Sequence, residues 1–414
     1  MAAAGLAAVA LGWGGGASAQ ELDPFGSIVD RARPGNAAPP INWGGFEVTP
    51  RIGAEVEAID NVFASEQLNV SDVTVAINPS VLIAQRRSDR FFSLDVSTGF
   101  VKFLDETVDD RFRAQIRGQA RLGLGTRTRP FFGFEFRQND ARNAARVSLS
   151  NIEQPLKLTS YGGNLGVEQE FGPFTATAEG RFRRTTFDGV FVAGQTQVDA
   201  GFRDFDLLAG RARLSYSVNP AQRFYVEANF DRRDFSTSPL NAPALPVLQG
   251  NRSSESVAIR VGYARQLTEL LLLDVNVGYL KQEFDDPRFS GPSAYSFDGR
   301  LSYSPSQLTR FQLRASRTVD DTVNPLFTGL LRTEFSFGVE HELRRDLVLS
   351  SEARYVKLDS GDNTADGSEY WLTGTARYYF TRNILLRLQA EYFRRDGVFA
   401  GDQTRGLIGV AYVF

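Results

Sequence analysis

No cysteine occurs in the 414 residues, and the chain carries one histidine and one methionine. Without thiols there is no disulfide staple, no thiolate nucleophile and no cysteine-built metal site, so stability has to come from elsewhere. One histidine, His341, cannot supply a zinc centre of the usual kind, nor the imidazole beside a nucleophile that Ser-His hydrolases need. After the first turns of the chain, no run approaches the roughly 20 apolar residues that a spanning helix requires. With 42% hydrophobic residues and a mean hydropathy of -0.24, the chain is too polar for a bundle of membrane helices. A net charge of -3 lacks the basic surplus expected of a nucleic-acid binder. None of these absences excludes a membrane β-barrel, whose strands cross with roughly 9 to 11 residues of which only every second is apolar.

What the chain has instead is 33 Phe, 13 Tyr and 38 Gly. Its start reads as an address. Residues Ala2 to Leu11 are small and apolar, and Ala17-Ser18-Ala19 is an A-x-A site that predicts a signal peptide over 1–19, cleaved before Gln20. Residues 20–45 contain Pro34, Pro39 and Pro40 and no clear period, which predicts a short periplasmic segment before the first strand.

From Phe46 to the end one period of two recurs. Segment 111–125 sets Phe112, Ala114, Ile116, Ala120, Leu122 and Leu124 on one face, with Arg113, Gln115, Arg117, Gln119 and Arg121 on the other. Segment 309–319 sets Phe311, Leu313 and Ala315 against Arg310, Gln312, Arg314 and Ser316. Side chains on a strand point alternately to its two faces, so each segment is greasy on one side and charged on the other. A period of 3.6 residues would scatter Arg113, Arg117 and Arg121 among the apolar residues, which excludes helix.

The links between these segments alternate in length. Short ones lie at 86–90, 126–130, 171–173, 218–222, 266–269, 304–308, 343–346 and 380–383. Long polar ones lie near 60–71, 138–156, 187–203, 234–253, 284–293, 317–330, 358–369 and 395–404, with a shorter one near 104–110. Short turns on one side and long loops on the other predict a single all-β, antiparallel up-and-down transmembrane barrel over 46–414, of about 18 strands (16 to 20). In lipid every backbone N–H and C=O must be paired within the protein, so the sheet can span only if it closes.

Parity also assigns an inward row: Arg113, Arg117, Arg121, Glu168, Glu179, Arg181, Arg183, Arg260, Arg300, Arg314, Glu334, Glu340, Glu352, Arg354, Arg377, Arg387 and Glu391. Burying so many ions against a second sheet would cost several kcal/mol for each one left unpaired, roughly, whereas a wet lumen removes that cost. Aromatic clusters at Phe91-Phe92, Phe131-Phe132, Phe224-Tyr225, Tyr378 to Phe380 and Tyr392-Phe393 suggest interfacial girdles. His341 shares parity with Phe335, Phe337 and Val339, which assigns it to the lipid-facing row near a short turn.

Ile408, Val410, Tyr412 and Phe414 form an apolar row that ends on an aromatic residue. That ending resembles the C-terminal signature of bacterial outer-membrane proteins, which the barrel-assembly machinery recognises. The chain as a whole resembles the BBP2-like β-barrel porins of Gram-negative, mainly alphaproteobacterial, outer membranes. The resemblance is carried by the hairpin Val48 to Ser65, by Gln282 to Arg288, Leu313 to Val319 and Val339 to Leu343, and by the closing strand. It covers essentially all of 46–414. It implies a place in the outer membrane, reached through the general secretory pathway. As family context it also implies a role in polysaccharide export or cell-envelope assembly.

The expected function is therefore a channel for polar or anionic solutes, or a conduit for exopolysaccharide, and not an enzyme. Its candidate lumen residues are Arg113, Arg117, Arg121, Arg181, Arg183, Arg314, Arg354, Arg377, Arg387, Glu334, Glu340 and Glu352. The alternative is an occluded structural or surface-binding barrel of the cell envelope, active in adhesion. Expected partners are outer-membrane lipid and lipopolysaccharide, the barrel-assembly machinery and polysaccharide-export proteins, with no nucleic acid. No cofactor or metal is expected. The acidic loops at Asp285-Asp286, Asp320-Asp321 and Asp359 to Asp362 lack the spaced ligands and glycine of an EF-hand and read as solvated faces.

Overall fold

The computed structural model describes residues 27–29, 31, 38–62, 64, 66, 69–105, 110–140, 157–187, 204–236, 251–320, 329–360, 366–397 and 400–414. The predicted signal peptide, and most of the loops at 138–156, 187–203, 234–253 and 317–330, lie outside the described residues. The chain runs through β1 (Ile41–Trp43), β2 (Phe46–Asp60), β3 (Asp72–Arg86), β4 (Arg90–Phe103), β5 (Arg111–Leu122), β6 (Thr128–Asp140) and β7 (Lys157–Phe171). It continues through β8 (Phe174–Phe187), β9 (Phe205–Asn219), β10 (Gln222–Phe235), β11 (Ser254–Thr268), β12 (Leu271–Phe284) and β13 (Ser293–Ser306). The last six are β14 (Thr309–Asp320), β15 (Leu330–Arg344), β16 (Leu347–Asp359), β17 (Gly367–Tyr379), β18 (Ile384–Gly397) and β19 (Gly401–Val413).

Each strand from β2 to β19 pairs antiparallel with the next, and β19 pairs back onto β2 from Thr404↔Asp60 to Val413↔Arg51. The result is a closed ring of 18 strands with no free edge, which is what hydrocarbon demands of backbone polar groups. The strands are 12 to 15 residues long, enough to cross at a steep tilt and project beyond the bilayer.

Two elements differ from the sequence expectation. Within 20–45 the chain makes one more strand, β1, joined to β2 by Gly44 and Gly45 at φ 57° and 85°. Two successive positive φ angles are the type I′ geometry that suits a two-residue hairpin, and glycine takes them without a Cβ clash. β1 pairs with Phe46–Val48, on the edge of β2 that β19 leaves uncovered beyond Arg51, so it fills the short-turn end of the seam. The other difference is the link expected at 395–404. It shrinks to the three residues between β18 and β19, because Arg395↔Gly401 and Arg394↔Asp402 remain in the ladder.

Parity then sorts the side chains. Ile52, Val56, Ile77, Leu165, Val226, Ile259, Val277, Leu313, Leu388 and Ile408 all face outward and are exposed, Ile408 at 66%. In water such a continuous apolar belt would be untenable; in a bilayer it is the lipid contact. The aromatic pairs foreseen as girdles divide between faces, since neighbours in sequence must point apart. Phe92, Phe132, Phe224 and Tyr392 point outward; Phe91, Phe131, Tyr225 and Phe393 point inward. The outward rings near the short turns meet across strands, as Phe46 with Phe92, Phe224 with Tyr263 and Tyr303 with Phe311 and then Phe337. At the loop end Tyr279 meets Tyr295, and Tyr355 meets Tyr370. Inward, the Tyr225 ring lies where a Cβ on Gly262 would sit, 2.1 Å from that position, and its hydroxyl donates to Asp274 at 2.7 Å.

Candidate functional site

Pleat and register together place the charged rows on the inner wall. Arg113, Arg117 and Arg121 alternate along β5, Arg181 and Arg183 along β8, Arg314 on β14, Glu334 and Glu340 on β15, Glu352 and Arg354 on β16, Arg377 on β17 and Arg387 on β18. Directly opposed partners share a face in an antiparallel ladder, so each inward residue names the next around the ring. Arg117 stands opposite Glu135, Arg377 opposite Arg387, and Arg314 opposite Ser336.

Closure brings Arg113, Arg117, Arg121, Arg181, Arg183, Arg377 and Arg387 into two clefts, while Arg314, Glu334, Glu340, Glu352 and Arg354 line neither. The first, of about 470 Å³, lies along β5 to β9 and is lined by seven arginines, Arg117, Arg121, Arg129, Arg181, Arg183, Arg211 and Arg213, against Glu135, Glu168 and Glu179. The second, of about 350 Å³, runs from β17 through the seam to β5 and again has seven arginines, against Glu55, Glu57, Asp95 and Glu391. Arg117 belongs to both, so the guanidinium-rich surface is continuous across the seam.

Part of this charge braces the wall. Glu135 accepts from Arg117 at 3.1 Å and from Arg137 at 2.7 Å, Arg129 reaches Glu168 and Glu170, and Arg387 reaches Glu55 across the seam at 3.3 Å. The densest knot is around Glu227 on β10. Arg211 and Arg213 of β9 donate to its Oε2 through Nε at 2.9 and 2.7 Å, and Asn229 donates to Oε1 at 3.0 Å. Arg260 of β11 stands 3.6 Å away and donates to Ser296 at 3.1 Å. Glu227 is 4% exposed, so three guanidiniums share one buried carboxylate. Arginines also lie against aromatic faces, Arg354 over Trp371 at 4.9 Å and Arg213 of the same knot over Tyr225 at 4.2 Å.

On the far wall, β12 to β16, carboxylates are at least as frequent as guanidiniums. Asp274, Asp298, Glu334, Glu340, Glu342 and Glu352 face in beside Arg300, Arg310, Arg314, Arg332 and Arg354. The passage is thus cationic on one side and mixed on the other. At the loop end the chain turns in: Val62, just past β2, is fully buried against the inward Ile59, Ala76, Val101 and Phe103. Asn61 holds that turn by donating to the Asp402 carbonyl at 2.7 Å and accepting from Gln403 at 2.7 Å.

The acidic loop after β12 is already neutralised by arginine. Arg288 donates to both oxygens of Asp286, at 3.0 and 2.6 Å, and holds that carboxyl down at about 2; Arg232 takes Asp285 at 2.9 Å. His341 sits on the outward row and shares a 2.9 Å hydrogen bond with Thr309, a neighbour across the ladder beside the short turns. Ile408, Val410 and Tyr412 lie outward along β19, and the Phe414 ring packs on Tyr412 at the seam.

Reading by parity alone could have found Arg211, Arg213 and Glu227, which alternate in their segments just as Arg181 and Arg183 do. No local signal marks Ser27 and Ile28, whose hydroxyl and backbone N–H, respectively, reach Glu340.

Among known proteins, the family described as putative beta-barrel porin 2 matches residues 33–413. No curated protein matches the chain. Among solved structures, Pseudomonas aeruginosa OccK2 (OpdF) is 14% identical, covering 89% of this chain and 98% of its own, with a TM-score of 0.46. A BenF-like porin from Pseudomonas fluorescens Pf-5 is 12% identical, covering 89% and 99%, also with a TM-score of 0.46.

Proposed function

The chain belongs to the putative beta-barrel porin 2 family, outer-membrane β-barrel channels rather than enzymes, and on that premise we propose that its cargo is small anionic and polar solutes. The observation that carries this is the arginine surplus of the first cleft, where seven guanidiniums line one continuous stretch of wall against three carboxylates, with Glu170 and Glu227 paired beside them and still leaving arginine in excess. Such a surface raises the local concentration of anions and lowers that of cations, and low-dielectric walls on either side focus the field.

Planar-bilayer recording on the purified protein under a salt gradient tests the proposal. The expected reversal potential has the sign of anion preference, with a permeability ratio of roughly threefold to tenfold at low ionic strength, shrinking as salt screens the wall. A cation preference would sink it. Silence at every voltage would favour the occluded, surface-binding barrel instead. An acidic exopolysaccharide would meet the same guanidinium rows. Loss of surface polysaccharide from a deletion strain, with uptake of small anions unchanged, would move the reading to export.

Delivery through the general secretory pathway, with residues 1–19 removed, is part of the same proposal and rests on the Ala17-Ser18-Ala19 motif. Mass spectrometry of protein extracted from outer membranes is expected to find the mature N-terminus at Gln20, free or cyclised to pyroglutamate. A mature chain that retains Met1 contradicts it.

A further inference from the structure

Residues upstream of β1 return to the interior of the barrel. The Ser27 hydroxyl stands 3.0 and 3.1 Å from the two carboxylate oxygens of Glu340, and the Ile28 N–H donates to Glu340 Oε2 at 2.6 Å. Three residues on, Arg31 donates through Nη1 to the Gln307 carbonyl at 2.5 Å. The Arg31 N–H turns back to the Ile28 carbonyl at 3.4 Å. Glu340 belongs to the inward row of β15, shortly before the turn that leads to β16, and Gln307 lies in the short turn between β13 and β14. Both anchors are therefore at the short-turn mouth. Ile28 is 1% exposed, an apolar side chain held wholly out of water beside a polar passage.

The sheet does not need this contact. All 18 strands are paired without it, and the seam beyond Arg51 is already filled by β1. What the contact changes is the open cross-section. Ile41, where β1 begins, lies beside β2 on the side that β19 occupies farther along, while the Glu340 anchor is on β15, four strands away around the ring. Four strand spacings make an arc of roughly 19 Å. The ten residues from Arg31 to Ile41 can reach at most about 35 Å. The connecting chain is therefore long enough to run from the seam to the seat along or across the short-turn mouth.

We propose that the segment containing Ser27, Ile28 and Arg31 is a built-in strap at the short-turn mouth, seated on Glu340, that narrows the passage. The seat is independent of cargo; its effect on current rests on the channel reading. A chain without cysteine makes the test clean, because engineered cysteines report alone.

Because Glu340 meets Ser27 through the far end of its side chain, the double variant Ser27→Cys/Glu340→Cys is expected to be bridged by a short bifunctional methanethiosulfonate reagent in the folded, full-length protein, read by mass spectrometry. It is expected to conduct less when crosslinked than after reduction releases the bridge. Deleting residues 27–31 is expected to raise single-channel conductance about twofold or more, with heat-modifiable electrophoretic migration confirming a folded barrel. Failure of the crosslink in a folded barrel would remove the seat. Unchanged conductance on both reduction and deletion would leave the channel reading standing and overturn the strap. A deletion variant that is folded and silent at all voltages would overturn both.

Discussion

Glu227→Gln is expected to lower the unfolding free energy by about 3 to 5 kcal/mol, the usual cost of stripping one partner from a buried ion pair. The substitution preserves shape and removes the charge that Arg211, Arg213 and Arg260 converge on. Their guanidiniums remain on β9 and β11, the two strands that flank β10, gathered at one point and largely hidden from solvent. Arginine cannot relieve this by losing a proton, so the strain falls on packing. Urea titration of the barrel in lipid vesicles, followed by tryptophan fluorescence and heat-modifiable migration, measures the loss. Replacing the carboxylate together with the two arginines that donate to it separates loss of charge balance from loss of packing. Combining Glu227→Gln with Arg211→Met and Arg213→Met is expected to recover most of the stability, since an apolar group of similar volume often serves as well as a buried ion cluster. Equal instability of the single and triple variants would mean that charge is not what the site balances.

Neutralising the arginine row changes selectivity rather than stability. With Arg117, Arg121, Arg181 and Arg183 all replaced by glutamine, the first cleft keeps three arginines against its three glutamates. At the roughly 4 to 8 Å that separates wall from solute, one charge in a wet lumen contributes about 0.5 to 1 kcal/mol, and a tenfold preference corresponds to about 1.4 kcal/mol. Four such charges, even screened over a Debye length of about 8 Å, account for a several-fold anion preference. The quadruple variant is therefore expected to bring the anion-to-cation permeability ratio close to unity, with open-channel conductance in high salt little altered. An undiminished ratio would shift the selectivity filter to the second cleft, where Arg51, Arg111 and Arg377 stand, or to the loop end.

Much of this architecture is legible along the chain. The segment around Arg113, Arg117 and Arg121 becomes β5 with those guanidiniums inward, and the row from Ile408 to Phe414 becomes the outward face of the closing strand. The short links become tight turns, as at Phe171-Gly172-Pro173-Phe174, because glycine there takes φ 61°. The link at 395–404 is misjudged for a related reason. Its Arg, Asp and Gly residues look like loop, yet Arg394 and Arg395 still point to opposite faces and keep the period of two.

What the sequence by itself determined is face. The pleat turns each successive side chain over, so parity separates lipid from lumen without knowledge of any partner. What only the tertiary structure decided is company. Glu227 gathers arginines from two flanking strands, Arg387 finds Glu55 across the seam, and Ser27 meets Glu340 more than three hundred positions away. Those meetings depend on the stagger between strands and on where the ring closes. Both are set by the whole circuit of hydrogen bonds at once, and no local period encodes them.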